Sequence, residues 1–278
     1  MSLGPEARVG YRYVRRMQAN DTSPVSTETR ENILIITINR PQARNAVNGP
    51  AADALREAFE EFESTPELRV AILTGSEGTF CAGADLKSIS TGDGNRIEAD
   101  MSLPGPMGPT RMTLSKPTIA AVEGHAVAGG LELAMFCDLR VAARDAVFGV
   151  YCRRWGVPLI DGGTVRLSRM LGHSHALDLI LTGRGVSGDE ARMMGLANRL
   201  CEPGEALATA FEIAESLAGF PQLCMNADRR SSYEQWDLTF AEALANETAG
   251  GLEVVRSGET REGASRFAAG AGRHGSFD

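Results

Sequence analysis

The sequence predicts a mixed α/β fold organised around parallel strands. Apolar runs of strand length occur at 32–41 (NILIITINRP), 70–75 (VAILTG) and 117–124 (PTIAAVEG). Their near-continuous apolar character suits strands covered on both faces, as parallel sheets are. Between the first two lies a segment of helical periodicity, so the order strand–helix–strand implies α/β layering. From about residue 204 onward the pattern is helical throughout.

Taken in order, residues 1–29 are polar and aperiodic, and a flexible tail is expected over 1–25. The first strand follows and is stopped by Pro41. Segment 50–63 places Ala54, Leu55, Ala58, Phe59 and Phe62 on one helical face, with Pro50 at its start. After VAILTG comes a Gly-containing loop and a helix start at Asp85. Segment 91–111 is rich in Gly and Pro and unpatterned, which predicts a mobile flap. A buried strand at 117–124 leads to GGLELAMFCD (129–138), a helix opening directly after two glycines. LRVAARDAVFGV (139–150) predicts further short strands. TVRLSRMLG and HALDLILTG read as amphipathic helices that end in Gly. Ser187 and Glu190 have capping-box spacing at the start of another helix. The helical remainder begins with GEALATAFEIAESLAGF (204–220) and continues over 226–249 to a Gly-rich end.

Composition narrows the function classes. A chain of 278 residues can bury about three-quarters of its unfolded surface, so disulfides or a structural metal are not needed to hold it. A net charge of −8 argues against non-specific nucleic-acid binding, and an anionic ligand would need its own local cations. Cys81, Cys137, Cys152, Cys201 and Cys224 are odd in number and form no CxxC pair. That fits a reducing compartment, with the cytoplasm expected, and supplies no zinc-site spacing. The apolar-rich stretch 118–143 is interrupted by Glu123, His125, Glu132, Asp138 and Arg140, so no membrane span is expected. The N-terminus lacks an apolar signal core, and Glu6 among Arg8, Arg12, Arg15 and Arg16 weakens a transit-peptide reading. The chain carries 26 Arg and only 2 Lys, which singles out Lys87 and Lys116.

Two patterns lead nowhere. GRGVSG (183–188) matches the dinucleotide fingerprint GxGxxG, but it follows a helical pattern instead of a strand. His173 and His175 lack a third ligand and read as exposed turn residues. No metal site is expected.

The segments that carry chemistry are FCAGADLK (80–87) and HAVAGGLEL (125–133). Each runs from a strand end through a Gly-containing loop into a helix start, and so aims free backbone N–H groups at one point. Brought together, two such points would form an oxyanion hole. Either alone also reads as a tight turn for close packing.

These segments, with NRPQARNAVN (39–48), LTGSEGTFCAGADLK (73–87), KPTIAAVEGHAVAGGLELAMFCDLRVAA (116–143), FGVYCRRWGVPLIDGGTVRLSRMLG (148–172) and LTGRGVSGDEARMMGLANRL (181–200), resemble the enoyl-CoA hydratase/isomerase, or crotonase, superfamily. The resemblance covers about residues 30 to 270. It implies a spiral of ββα units over 26–203 that binds acyl-CoA. Over 204–278 it implies a helical region that forms a homotrimer or a dimer of trimers. It implies an acyl-CoA substrate, with coenzyme A as part of that substrate and no further cofactor. By the same resemblance, the amides of Ala84 and Gly129 grip the thioester oxygen. Ala82, Ala84, Asp85, Leu86 and Lys87 line the CoA path, and Arg44 and Lys87 are candidates for its phosphates. A surface Lys at a helix start is the alternative for Lys87.

Glu132 falls on the family's first catalytic glutamate, although a helix dipole also favours a carboxylate there. The resemblance breaks at Cys152, where hydratases of this family carry a second glutamate. A thiol has an ordinary pKa near 8.5 and lacks a second oxygen to hold water. As a nucleophile it would need a partner to form thiolate, so a small buried residue is the plainer reading. Asp161 reads either as a loop or helix N-cap aspartate or as the aspartate that isomerases of the family carry there. Arg153 and Arg154 read either as contacts to a polar acyl group or as interface ion pairs. The expectation is therefore double-bond isomerisation through an enolate, with Glu132 as acid/base and Asp161 at the other end. Enoyl-CoA hydration and an acyl-CoA-binding paralogue with little catalysis are the alternatives.

Overall fold

The computed structural model describes residues 23–92 and 94–272. Most of the proposed tail, 1–22, and the last six residues of the helical region lie outside the described residues.

The chain opens with a hairpin, β1 (Val25–Arg30) against β2 (Ile33–Ile38), paired antiparallel with Thr27 opposite Ile36. A tail through residue 25 is thus corrected: the chain is already a strand at Val25. VSTETR hides this because β1 is an edge strand that buries only Val25 and is held by its ladder to β2. Four parallel strands extend the sheet beyond β2: β3 (Val70–Gly75), β4 (Thr118–Val122), β6 (Leu139–Ala143) and β9 (Arg199–Cys201). Ile35 lies opposite Ile72, and Ile72 opposite Ile119, so β-branched side chains repeat in register across the sheet.

A smaller sheet forms beside it from β5 (His125–Val127), β7 (Val147–Gly149) and β8 (Gly185–Ser187). β5 and β7 run parallel, and β8 closes the sheet antiparallel. The chain thus returns repeatedly from the large sheet to the small one.

Helix α1 (Gly49–Ser64) begins at an N-cap, Asn48, whose side chain accepts from the Ala51 amide, and Pro50 sits in its first turn. It buries Leu55, Ala58, Phe59 and Phe62, while Ala54 is only half-buried. Each large apolar side chain so buried is worth about 1.5–3 kcal/mol relative to exposure. Phe59 meets Phe136 edge to face at 5.2 Å, which joins α1 to α3 (Gly129–Phe136). Helix α2 (Leu86–Thr91) follows the first Gly loop.

Past the end of α2 at Thr91, the described residues of segment 91–111 form one element, a 3₁₀ turn at Pro109–Arg111. The flap expectation needs correction for 105–110, which is buried. Its Gly and Pro residues let the backbone pass close to other chain segments instead of loosening it. Gly108, at φ 91°, approaches α1 so closely that a Cβ would lie 2.3 Å from the Ala52 carbonyl oxygen.

Helices α4 (Gly163–Leu171) and α5 (His173–Thr182) come next. His173 and His175 are exposed, as read, but in the first turn of α5 and not in a loop. GRGVSG follows this helix and makes β8, without the strand that a dinucleotide site needs. Helix α6 (Gly188–Met194) is capped by Ser187, whose side chain accepts from the Glu190 amide. Only half of the expected box forms, because the Glu190 carboxylate pairs with Arg184 at 2.7 Å.

The remainder is helical, as read: α7 (Ala206–Gly219), α8 (Gln222–Glu234), α9 (Phe240–Ser257) and α10 (Glu259–Ala268). Helix α7 covers β3 and β4. Asp138 docks α8, accepting from the Thr118 amide at 2.7 Å, Arg229 at 2.9 Å and the Tyr233 hydroxyl at 2.6 Å. Beyond this tether α8–α10 expose Leu244, Phe240, Val255 and Phe267. Among the described residues no helix is long and apolar enough to cross a membrane.

Candidate active site

The two Gly loops meet. The Cys81 amide donates to the His125 carbonyl at 2.8 Å, and the Val127 amide donates back to the Cys81 carbonyl at 3.1 Å. At Gly83, with φ 97°, a Cβ would fall 2.8 Å from the Ala128 Cβ and 3.1 Å from the Gly129 nitrogen. Glycine is therefore required twice over at that position, by conformation and by space. On the other side, Val47 bridges Ala84: the Val47 amide donates to the Gly83 carbonyl, and the Asp85 amide donates to the Val47 carbonyl, at 2.8 and 2.9 Å. This pattern turns the Ala84 amide away from Val47. Among the described residues the amides of Ala84 and Gly129 have no hydrogen-bond acceptor, and both residues line one cleft. Gly129 opens α3, so its N–H is one of the orphan donors of a helix start. Ala128 just before it sits at φ 54°, a strained value for a residue with a Cβ.

The cleft encloses about 530 Å³. Arg44, Ala82, Ala84 and Leu86 line it on one side; Glu132, Cys152 and Asp161 line it as well. Of the residues expected on a CoA path, Lys87 is exposed on α2 and does not line the cleft. Asp85 departs further from expectation. Its carboxylate caps α2 by accepting from the Lys87 and Ser88 amides, and it pairs with Arg40 at 2.9 Å. Arg40 and the capping amides outweigh burial and hold this carboxyl below its ordinary range. Asp85 thus fixes the loop that carries Ala84 and offers no free carboxylate to a ligand. Arg44 is the one Arg or Lys among the described residues that lines the cleft.

Glu132 is 2% exposed, in the first turn of α3. Its Oε1 accepts from the Asp161 amide at 2.9 Å and the Gly163 amide at 2.8 Å, and Oε2 has no protein donor among the described residues. Burial, and then the neighbouring Asp161 carboxylate, push its pKa up to about 7 despite the two amides. Gly163 must be small, since a Cβ there would lie 2.8 Å from Glu132 Oε1.

Asp161 is not the N-cap of α4. That position is Gly162, and no side chain caps the helix. The Asp161 carboxyl, 4% exposed, instead accepts at Oδ1 from the Met107 amide at 3.0 Å and from the Thr110 hydroxyl. Burial raises its pKa against these donors and against Arg111 and Arg166. Thr110 and Met107 were missed from the sequence: a Thr amid Gly and Pro gives no signal, and only the fold brings 105–110 under Asp161.

Cys152 is 6% exposed within a 3₁₀ turn, Tyr151–Trp155. Burial and the nearby Glu132 carboxylate raise its thiol pKa, so it stays neutral and un-nucleophilic. Arg153 donates to the Ile180 carbonyl and Arg154 to the Gly183 carbonyl, both at 3.0 Å. Neither lines the cleft; they fasten the turn to the end of α5. Among the described residues no group of three or more His, Cys, Asp or Glu is placed to hold a metal ion.

The chain has known relatives in sequence and in fold. A family model for enoyl-CoA hydratase/isomerase matches residues 28–270. The enoyl-CoA hydratase EchA19 of Mycobacterium tuberculosis is 37% identical over 87% of this chain and 92% of its own. A carnitinyl-CoA dehydratase of Salmonella arizonae is 36% identical over 82% of this chain and 84% of its own. The crystal structure of the enoyl-CoA hydratase EchA1 from Mycobacterium marinum superposes with a TM-score of 0.83 at 38% identity, over 89% of this chain and 96% of the other. The spiral of short and long strands is the crotonase fold, and the chain belongs to the enoyl-CoA hydratase/isomerase family.

Proposed function

We propose that the cleft takes an acyl-CoA thioester and holds its carbonyl oxygen between the amides of Ala84 and Gly129. Among the described residues neither donor has an internal acceptor, and both residues line the cleft. An enolate oxygen gains most from such fixed donors, because they need no reorganisation as charge develops. Arg44 at the cleft wall is the cation nearest to hand for the CoA moiety.

The reaction favoured is reversible hydration of an α,β double bond. The carrying observation is that two carboxyls, Glu132 and Asp161, share the cleft, each with one oxygen anchored and the other free. Glu132 Oε2 takes a proton from water as the water oxygen bonds to Cβ. The electron pair of the double bond moves onto the thioester oxygen. A carboxyl, Asp161 or the newly protonated Glu132, then delivers a proton to Cα. The names of the hydratase and dehydratase relatives support this direction.

Isomerisation, preferred on the sequence alone, is the second reading, and Cys152 favours it. A neutral thiol stands where resembling hydratases carry a glutamate. In that case Glu132 removes one proton and the carboxyl pair returns one at a different carbon.

Isotopes separate these readings. A panel of acyl-CoAs screened by thermal shift first supplies a ligand. Turnover in H₂¹⁸O then places ¹⁸O in a β-hydroxyacyl product if the chain hydrates. Deuterium entering from D₂O without ¹⁸O identifies an isomerase. Binding with neither label would leave an acyl-CoA-binding paralogue.

A further inference from the structure

The buried stretch 105–110 is organised around one carboxyl oxygen. Met107 and Thr110 both donate to Asp161 Oδ1, one by its amide and one by its hydroxyl. Thr110 is 3% exposed. From behind, the Arg166 guanidinium donates to the Thr110 carbonyl at 2.9 Å and to the Asp161 carbonyl at 2.6 Å. One planar cation therefore sets the spacing of the two main chains. Gly105 seals the arrangement: a Cβ there would lie 2.2 Å from the Thr110 hydroxyl and 2.9 Å from Asp161 Oδ1. Oδ2 has no protein donor among the described residues, and Asp161 lines the cleft.

We propose that Thr110 is a positioning residue: with the Met107 amide it commits Asp161 Oδ1 to accepting hydrogen bonds, so that Oδ2 is the oxygen that exchanges a proton in the cleft. This rests on Asp161 acting as the second carboxyl of the reaction. An oxygen that already accepts two donors is the less basic of the pair, so the proton resides on the other. The charged and titratable groups facing Asp161 are Glu132 from α3, Arg166 from α4 and Arg111 beside Thr110, with the Cys152 thiol in the same cleft. Losing the hydroxyl removes a donor that favours the ionised form and frees the carboxyl to rotate.

The test is a pH profile of Thr110→Val, Thr110→Ser and Asp161→Asn against the parent, on the acyl-CoA found by the thermal-shift panel. Thr110→Val is expected to move the profile limb that belongs to Asp161 up by about one pH unit. It should lower kcat about tenfold while KM stays within about twofold. Thr110→Ser should restore both. Thermal melts establish folding, and Thr110→Ala takes the same readouts should the valine variant fail to fold. If the valine and alanine variants keep the parental profile while Asp161→Asn is inactive, the role of Thr110 is overturned and that of Asp161 stands. If Asp161→Asn keeps full turnover, the second-carboxyl reading falls and the inference falls with it.

Discussion

At Glu132 two demands meet. The carboxyl is buried where an ionised group is costly, yet two amides and a helix start supply part of what water would have given it. The outcome, a pKa of about 7, poises it to take and return protons near neutrality. Glu132→Gln should lower turnover by about 10²–10⁴ and leave acyl-CoA affinity within severalfold, measured by steady-state assay and calorimetry. As a base Glu132 must be ionised, so kcat/KM for hydration should rise with pH through about 7. That limb should be absent from the residual activity of the variant. Stability carries the opposite sign. The folded chain holds this proton above the ordinary value of 4.5, so stability is full below that value and lost as pH rises through about 7. Melting curves should therefore show Glu132→Gln gaining on the parent at pH 8 relative to pH 5. Cys152 makes the contrasting case: as a neutral thiol it should be replaceable, with Cys152→Ala keeping activity within severalfold. A loss of two orders of magnitude would give the thiol a chemical role.

At the scale of elements, the site depends on two loop–helix junctions laid side by side. Gly83 is the point where they touch, and Gly83→Ala would push a methyl into Ala128 at a left-handed position. This should cost at least about 1 kcal/mol of stability by denaturant titration. It should lower kcat by more than that figure implies, since the Ala84 and Gly129 amides would no longer share one target. An unchanged kcat would mean that the junction's spacing is unimportant to turnover. The junctions were legible in the sequence because Gly patterns before helix starts have a physical signature. The edge strand β1 was not, because only Val25 among its residues is buried. Nor was the role of 105–110, because Gly and Pro mark both loose loops and tight passages, and only neighbours distinguish them. The contacts of Asp161 were hidden for the same reason: its carboxyl turns away from the nearest helix toward a residue 51 positions earlier.

At the scale of the molecule, the α/β core and the helical end were both readable from periodicity, whereas the meeting of distant loops at one cleft came from the family pattern. The exposed Phe240, Val255 and Phe267 on α9 and α10 suit self-association, and sedimentation at micromolar concentration should give the trimer or dimer of trimers that the resemblance implies. A monomer would leave that apolar surface unexplained. The proposed chemistry requires one cleft to hold a thioester oxygen beside Glu132. A crystal structure of Glu132→Gln with a bound acyl-CoA tests it most directly. The thioester oxygen should lie about 2.7–3.1 Å from both the Ala84 and Gly129 nitrogens, with Cα and Cβ facing residues 132 and 161. A ligand bound elsewhere, or a carbonyl turned away from both amides, would contradict it.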